Sequence, residues 1–194
     1  MANQQRSTFN QTNAYAMQLG AGFGIYWCLG FICMIGGFSN PILHLLLSII
    51  LISTPFVGIS LARYFERQVR QDGVVRFGRA WWFSFLLYFY ACIILCLVAY
   101  IYFQFFDKGM FVSNYIAHLN LPENKQILEA PEFKQQLEQM LSATGFSNLE
   151  EVVRNITPTM FVANILDINT LLAAILAAPT ALVSKTPNKY LNNQ

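Results

Sequence analysis

Three stretches of this chain are almost free of charge, and their lengths decide what it can fold into. No Asp, Glu, Lys or Arg stands between Arg6 and Arg63, none from Ala80 to Phe106, and from Asn155 to Ser184 there is one, Asp167. A helix needs about 20 mostly apolar residues to cross the hydrocarbon core of a bilayer. The first stretch therefore accommodates two such helices and the others one each. Burial inside a soluble domain is the alternative. It fails at Trp81–Phe106, which is apolar or aromatic on every face and offers water no polar stripe. Charged residues make up only 11% of the chain, against about 25% in soluble domains.

The expected fold class is an all-α integral membrane protein, with four transmembrane helices and a small helical extracytoplasmic insertion between helices three and four. A polar arm, residues 1–13, leads into helices one to three within 14–106. Helix one is expected over Ala14–Phe38, helix two over Ile42–Ala62 and helix three over Ala80–Phe106. Gly36, Gly37, Ser39, Asn40 and Pro41 separate the first two, and so short a turn makes them antiparallel neighbours. A basic loop spans 63–79. The insertion covers 107–157, helix four 158–184, and a tail 185–194. The polar start and the long apolar stretch after it do not read as a cleavable signal, whose apolar region is usually about 7–15 residues.

Lys and Arg near membrane ends orient a multi-spanning chain. Arg63, Arg67, Arg70, Arg76 and Arg79 fill the 63–79 loop, Arg6 lies in the arm, and Lys185 and Lys189 lie in the tail. All fall on one side of a four-helix topology, so both termini are expected in the cytoplasm. Topogenesis accounts for the five loop arginines, and contact with anionic lipid head groups is a compatible second role. Trp81 and Trp82 follow Arg79, where an interfacial aromatic anchor is expected. With a net charge of +2 concentrated there, no nucleic-acid partner is expected.

The 107–157 segment carries seven acidic and four basic residues. Phe111, Val112, Tyr115, Ile116 and Leu119 recur at helical spacing, as do Phe133, Leu137, Met140 and Leu141 after Pro131 and before Gly145. Ser147 and Glu150 fit a capping box opening a third short helix. About 50 residues are too few for a large core of their own. These helices either cap the bundle or meet the membrane surface or a partner protein.

No catalytic, metal or cofactor-binding constellation emerges. Cys28, Cys33, Cys92 and Cys96 all fall inside expected membrane helices, where thiols act as small hydrophobes; Cys92 and Cys96 share a helix face. His44 and His118 are too few to ligate a haem between spans. Phosphate-cradling Gly loops, zinc-helix motifs and nucleophile elbows are missing from the sequence. Asp167 is the one acid within a span. An intramembrane charge costs on the order of 2.5–3.5 kcal/mol and marks function by default. Asn164, Asn169 and Thr170 extend it into a polar patch. Two readings stand, a structural hydrogen-bonding role near the outer boundary and a transport or catalytic role. Ala16, Gly20 and Gly24 form a small-residue face on helix one, and Ala173, Ala174, Ala177, Ala178 and Ala181 another on helix four. Small residues allow close helix approach, within the monomer or in a homo-oligomer. Pro55 and Pro179 are expected to kink their helices.

Arg63-Tyr64-Phe65-Glu66-Arg67, Arg76-Phe77-Gly78-Arg79-Ala80-Trp81 and Tyr100-Ile101-Tyr102-Phe103-Gln104-Phe105-Phe106-Asp107 together resemble a Bacteroidota family of small four-helix membrane proteins with no assigned function, DUF4199. The resemblance implies a bacterial inner-membrane protein and supplies no active site. Function is then expected to be that of a non-enzymatic subunit or adaptor presenting the 107–157 segment to a partner in the envelope. The competing expectation is a small transporter or polyprenyl-linked lipid carrier flippase assisting envelope glycan assembly.

Overall fold

The computed structural model describes residues 2–70 and 74–185 of the chain. They form helices α1 (Ala2–Gly37), α2 (Pro41–Val69), α3 (Phe77–Ile101), α4 (Met110–Leu119), α5 (Pro122–Leu128), α6 (Pro131–Thr144), α7 (Leu149–Arg154) and α8 (Pro158–Ser184), with a π-helical turn, Tyr102–Phe106, extending α3. Four segments, Thr8–Gly37, Pro41–Val69, Phe77–Phe106 and Pro158–Ser184, are long and apolar enough to cross a membrane, the signature of a multi-pass membrane protein.

The long helices overrun their expected bounds. α1 begins at Ala2 rather than Ala14, because nothing in the polar 2–13 stretch, free of Gly and Pro, stops a helix. α2 continues past Ala62 to Val69, so Arg63 and Arg67 stand on a helix rather than in a loop. α3 starts at Phe77. Residues 71–73 and 186–194, including Lys189, lie outside the described residues, as does the side chain of Arg6. The α1–α2 turn closes as the sequence dictates. Ser39 and Asn40 donate their N–H groups to the Gly36 carbonyl, and the Asn40 side chain accepts from the Ile42 N–H at 2.9 Å, with Pro41 leading the helix.

α3 lies between α1 and α8, and α2 packs on both. Small residues set these distances. A Cβ on Gly20 would stand 2.7 Å from the Tyr90 Cβ, and one on Gly24 2.7 Å from the Ile94 Cβ and 3.1 Å from the Ala91 carbonyl. With Ala16 fully buried, the small face of α1 is turned onto α3 inside the chain. Ala173, Ala177 and Ala181 of α8 are likewise buried. Between them sits an aromatic core in which Phe65 and Phe83 stack at 3.9 Å and the buried Tyr88 rests its hydroxyl over Gly58. Pro55 cannot donate within α2. Five residues before it, the Ile50 carbonyl accepts from the hydroxyls of Ser53, Thr54 and, across from α1, Tyr26.

At the opposite end of the bundle from the arginines, α4–α7 form the 107–157 segment. α6 runs from Pro131 and closes at Gly145, whose left-handed backbone (φ 76°) lets its N–H reach the Leu141 carbonyl. The cap of α7 lies one residue beyond the expected position. Asn148, not Ser147, is the N-cap and accepts from the Glu151 N–H at 2.8 Å, while Glu151, not Glu150, reaches back to the Ser147 N–H and hydroxyl. Ser and Asn both cap well, and their adjacency makes either register available.

Candidate functional site

Three of the four polar residues expected to form a patch on α8 bond within their own helix. Asn164, Asn169 and Thr170 each donate to a carbonyl one turn back on their own helix, from Met160, Ile165 and Leu166. Asp167 is exposed and makes no hydrogen bond or ion pair among the described residues. It shares an outward stripe with Asn164, Ile168, Leu171 and Ile175, all exposed. The hydrogen-bonding role expected for Asp167 therefore has no partner within the described chain. The acid faces away from the bundle.

The five arginines divide into two kinds. Arg70 pairs with the buried Glu66 in a two-pronged contact, 2.8 Å from Nε to one carboxylate oxygen and 2.5 Å from a terminal nitrogen to the other. Arg79 donates to Thr12 at 3.0 Å and Gln11 at 2.7 Å, its guanidinium 5.6 Å from the Phe65 ring. The first contact is local to the end of α2, and the second ties α3 to α1. Arg63, Arg67 and Arg76 are exposed and make no ion pair among the described residues, which leaves them to face whatever lies outside.

The cysteines are internal. Cys92 and Cys96 are buried with their sulfurs 3.8 Å apart, Cys33 is buried and Cys28 half-buried. Among the described residues, no three of His, Cys, Asp and Glu converge as metal ligands would. His44 is exposed, and His118 lies edge-on to Phe38 at 6.1 Å.

A concave feature of the described residues lies at the far end, where the 107–157 segment folds back over the bundle. A crevice of about 790 Å³ opens between the end of α3, α4, α7 and the start of α8. Its floor is an aromatic cluster in which Phe103 lies 4.5 Å from Phe161 and 5.2 Å from Phe111, and Phe111 5.4 Å from Phe161. The π-helical turn ends at Asp107, whose side chain is 4% exposed. Its two oxygens accept from the N–H groups of Gly109 (3.0 Å) and Phe111 (2.9 Å). They hold a reversal in which Lys108 (φ 48°) and Gly109 (φ 82°) both adopt the left-handed region, a conformation uncommon for a lysine. Across from it, Asn120 donates to Glu150 at 2.9 Å and joins α4 to α7, and the Thr157 hydroxyl caps α8.

Lys108 and Arg154 both line this crevice, are exposed, and make no ion pair among the described residues. Sequence reading passed over them. The available signal was the Asp107-Lys108-Gly109 turn directly after an aromatic run, but only the folded chain brings it to Arg154.

A family model described as a protein of unknown function, DUF4199, matches residues 18–186. No curated protein and no solved structure matches the chain.

Proposed function

Because the chain belongs to DUF4199, a family of unknown function, its role has to come from its own geometry, and we propose that it is a non-enzymatic membrane subunit whose 107–157 segment docks a partner protein. The observation that carries this is α6. It places Phe133, Leu137, Met140 and Leu141 on one face of an amphipathic helix, yet none of its described residues is buried in this chain. An apolar stripe of that kind is stable when something covers it. A helix lying on a lipid surface is rich in Lys and Arg on its polar face. α6 instead carries Glu132, Lys134 and Glu138, which favours a protein as the cover.

On the same reading the protein sits in the bacterial cytoplasmic membrane, with both termini and the arginine end cytoplasmic and the 107–157 segment on the envelope side. The charge distribution supports this orientation. The transport alternative has less to stand on, since Asp167 is not among the residues lining the crevice. The test is affinity capture of the tagged protein from its native membrane in mild detergent. A single protein is expected to co-purify in near-stoichiometric amount. It is expected to be lost from Phe133→Gln/Leu137→Gln and kept with Lys125→Gln, at unchanged thermal stability. Equal capture by all three forms would overturn the proposal.

A further inference from the structure

The far-end crevice combines two features that a protein-docking role for α6 does not use. Lys108 and Arg154 line it without an acidic partner among the described residues. The one carboxylate in its wall, Asp107, has both oxygens engaged by backbone N–H groups. The site therefore presents two cations against one carboxylate, a net positive charge, and that carboxylate is turned to the backbone rather than to either cation. Its floor is the opposite, the rings of Phe103, Phe111 and Phe161 packed edge to face. Its volume of about 790 Å³ falls among sites that hold a small organic ligand, roughly 300–1,000 Å³.

Position adds the third constraint. The crevice lies where the Phe77–Phe106 span ends and the Pro158–Ser184 span begins, the level at which a bilayer changes from hydrocarbon to head groups. Phe105 and Phe106, both 67% exposed, face outward beside it. A free inorganic anion would satisfy the cations and leave the aromatic floor uncovered. A neutral apolar ligand would do the reverse. One ligand class has a negative phosphate joined to an apolar chain and resides at this depth.

We propose that the crevice binds an anionic phospholipid, with its phosphate between Lys108 and Arg154 and the start of an acyl chain on Phe103, Phe111 and Phe161. Bidentate and charge-assisted donation from a guanidinium suits the phosphate oxygens, and an ammonium beside it adds a second point charge. The site does not depend on the identity of any protein partner, nor on which compartment the crevice faces.

The experiment reconstitutes the full chain in phosphatidylcholine nanodiscs doped with a phosphatidylglycerol carrying a photoactivatable group in its acyl chain, and maps the crosslinks by peptide mass spectrometry. A phosphatidylcholine analogue with the same chain is the reference. Labelling is expected on the peptides holding Phe111 and Phe161, stronger with phosphatidylglycerol. It is expected to fall roughly fivefold for each of Lys108→Gln and Arg154→Gln, in line with one cation's attraction to anionic lipid. Arg63→Gln/Arg67→Gln/Arg76→Gln at the other end is expected to leave it unchanged. So is inorganic phosphate added at constant ionic strength. Equal labelling by the two lipids would overturn the proposal. So would undiminished labelling of a Lys108→Gln/Arg154→Gln variant with wild-type melting, or displacement by phosphate, which would mark a simple anion site.

Discussion

Gly22 and Gly24 stand two residues apart on α1 and meet opposite surroundings. A Cβ on Gly22 would find nothing within 4 Å, whereas one on Gly24 meets the Ile94 Cβ at 2.7 Å and the Ala91 carbonyl at 3.1 Å. The second contact is backbone, which cannot rotate away, so α1 and α3 would have to part. Gly24→Val is therefore expected to destabilise the bundle by about 1–3 kcal/mol, the usual range for overpacking, and Gly22→Val to leave it near wild type. Thermal unfolding of the two variants in detergent checks this; equal melting would mean that α1 does not pack on α3 through this face. The spacing of Ala16, Gly20 and Gly24 was legible in the sequence because helical period is local. What the face touches was not, since Tyr90, Ala91 and Ile94 lie far along the chain. Asp167 teaches the same distinction. Its place inside an apolar stretch can be read directly, but its outward direction depends on how α8 is rotated against α3.

Among the elements, charge-free apolar length located the spans and failed at their polar ends. Asn, Gln, Ser and Thr in 2–13 carry no periodic signal, so helical continuation to Ala2 was invisible. Arg63 and Arg67 suggested a loop by charge alone, although both are sound helix formers. The α7 cap was found one residue early for a chemical reason, the Ser147-Asn148 pair. That cap supplies a pH signature. The Ser147 hydroxyl, and then its N–H, hold the exposed Glu151 carboxyl below its ordinary value. A carboxyl depressed on folding contributes stability that is present above the ordinary Glu range and is lost as pH falls through the lowered value. Amide exchange in residues 149–155, compared between neutral pH and pH about 3 after correction for intrinsic rates, is expected to lose protection on acidification. Glu151→Gln is expected to show lower protection at neutral pH and little further change. Protection in wild type that is indifferent to pH would show that the Ser147–Glu151 contact does not hold α7.

For the whole molecule, four spans and a helical insertion could be read from charge-free lengths because a bilayer imposes its thickness on each segment independently. The crevice could not, because Phe103, Lys108, Arg154 and Phe161 come from separate helices and meet only when the insertion folds back on the bundle. The partner-docking reading of that end rests on one arrangement, in which the 107–157 segment lies on the envelope side of the membrane and the arginine end in the cytoplasm. Single cysteines placed in a variant with Cys28, Cys33, Cys92 and Cys96 changed to Ala test it directly. Glu129→Cys in the segment, Gln68→Cys at the exposed end of α2 and Asn192→Cys in the tail would be treated in intact cells with a membrane-impermeant maleimide, before and after permeabilisation. The account predicts that Glu129→Cys is labelled in intact cells, and that Gln68→Cys and Asn192→Cys are labelled only once the membrane is opened. Labelling of all three together, or of Gln68→Cys and Asn192→Cys alone before permeabilisation, would contradict it.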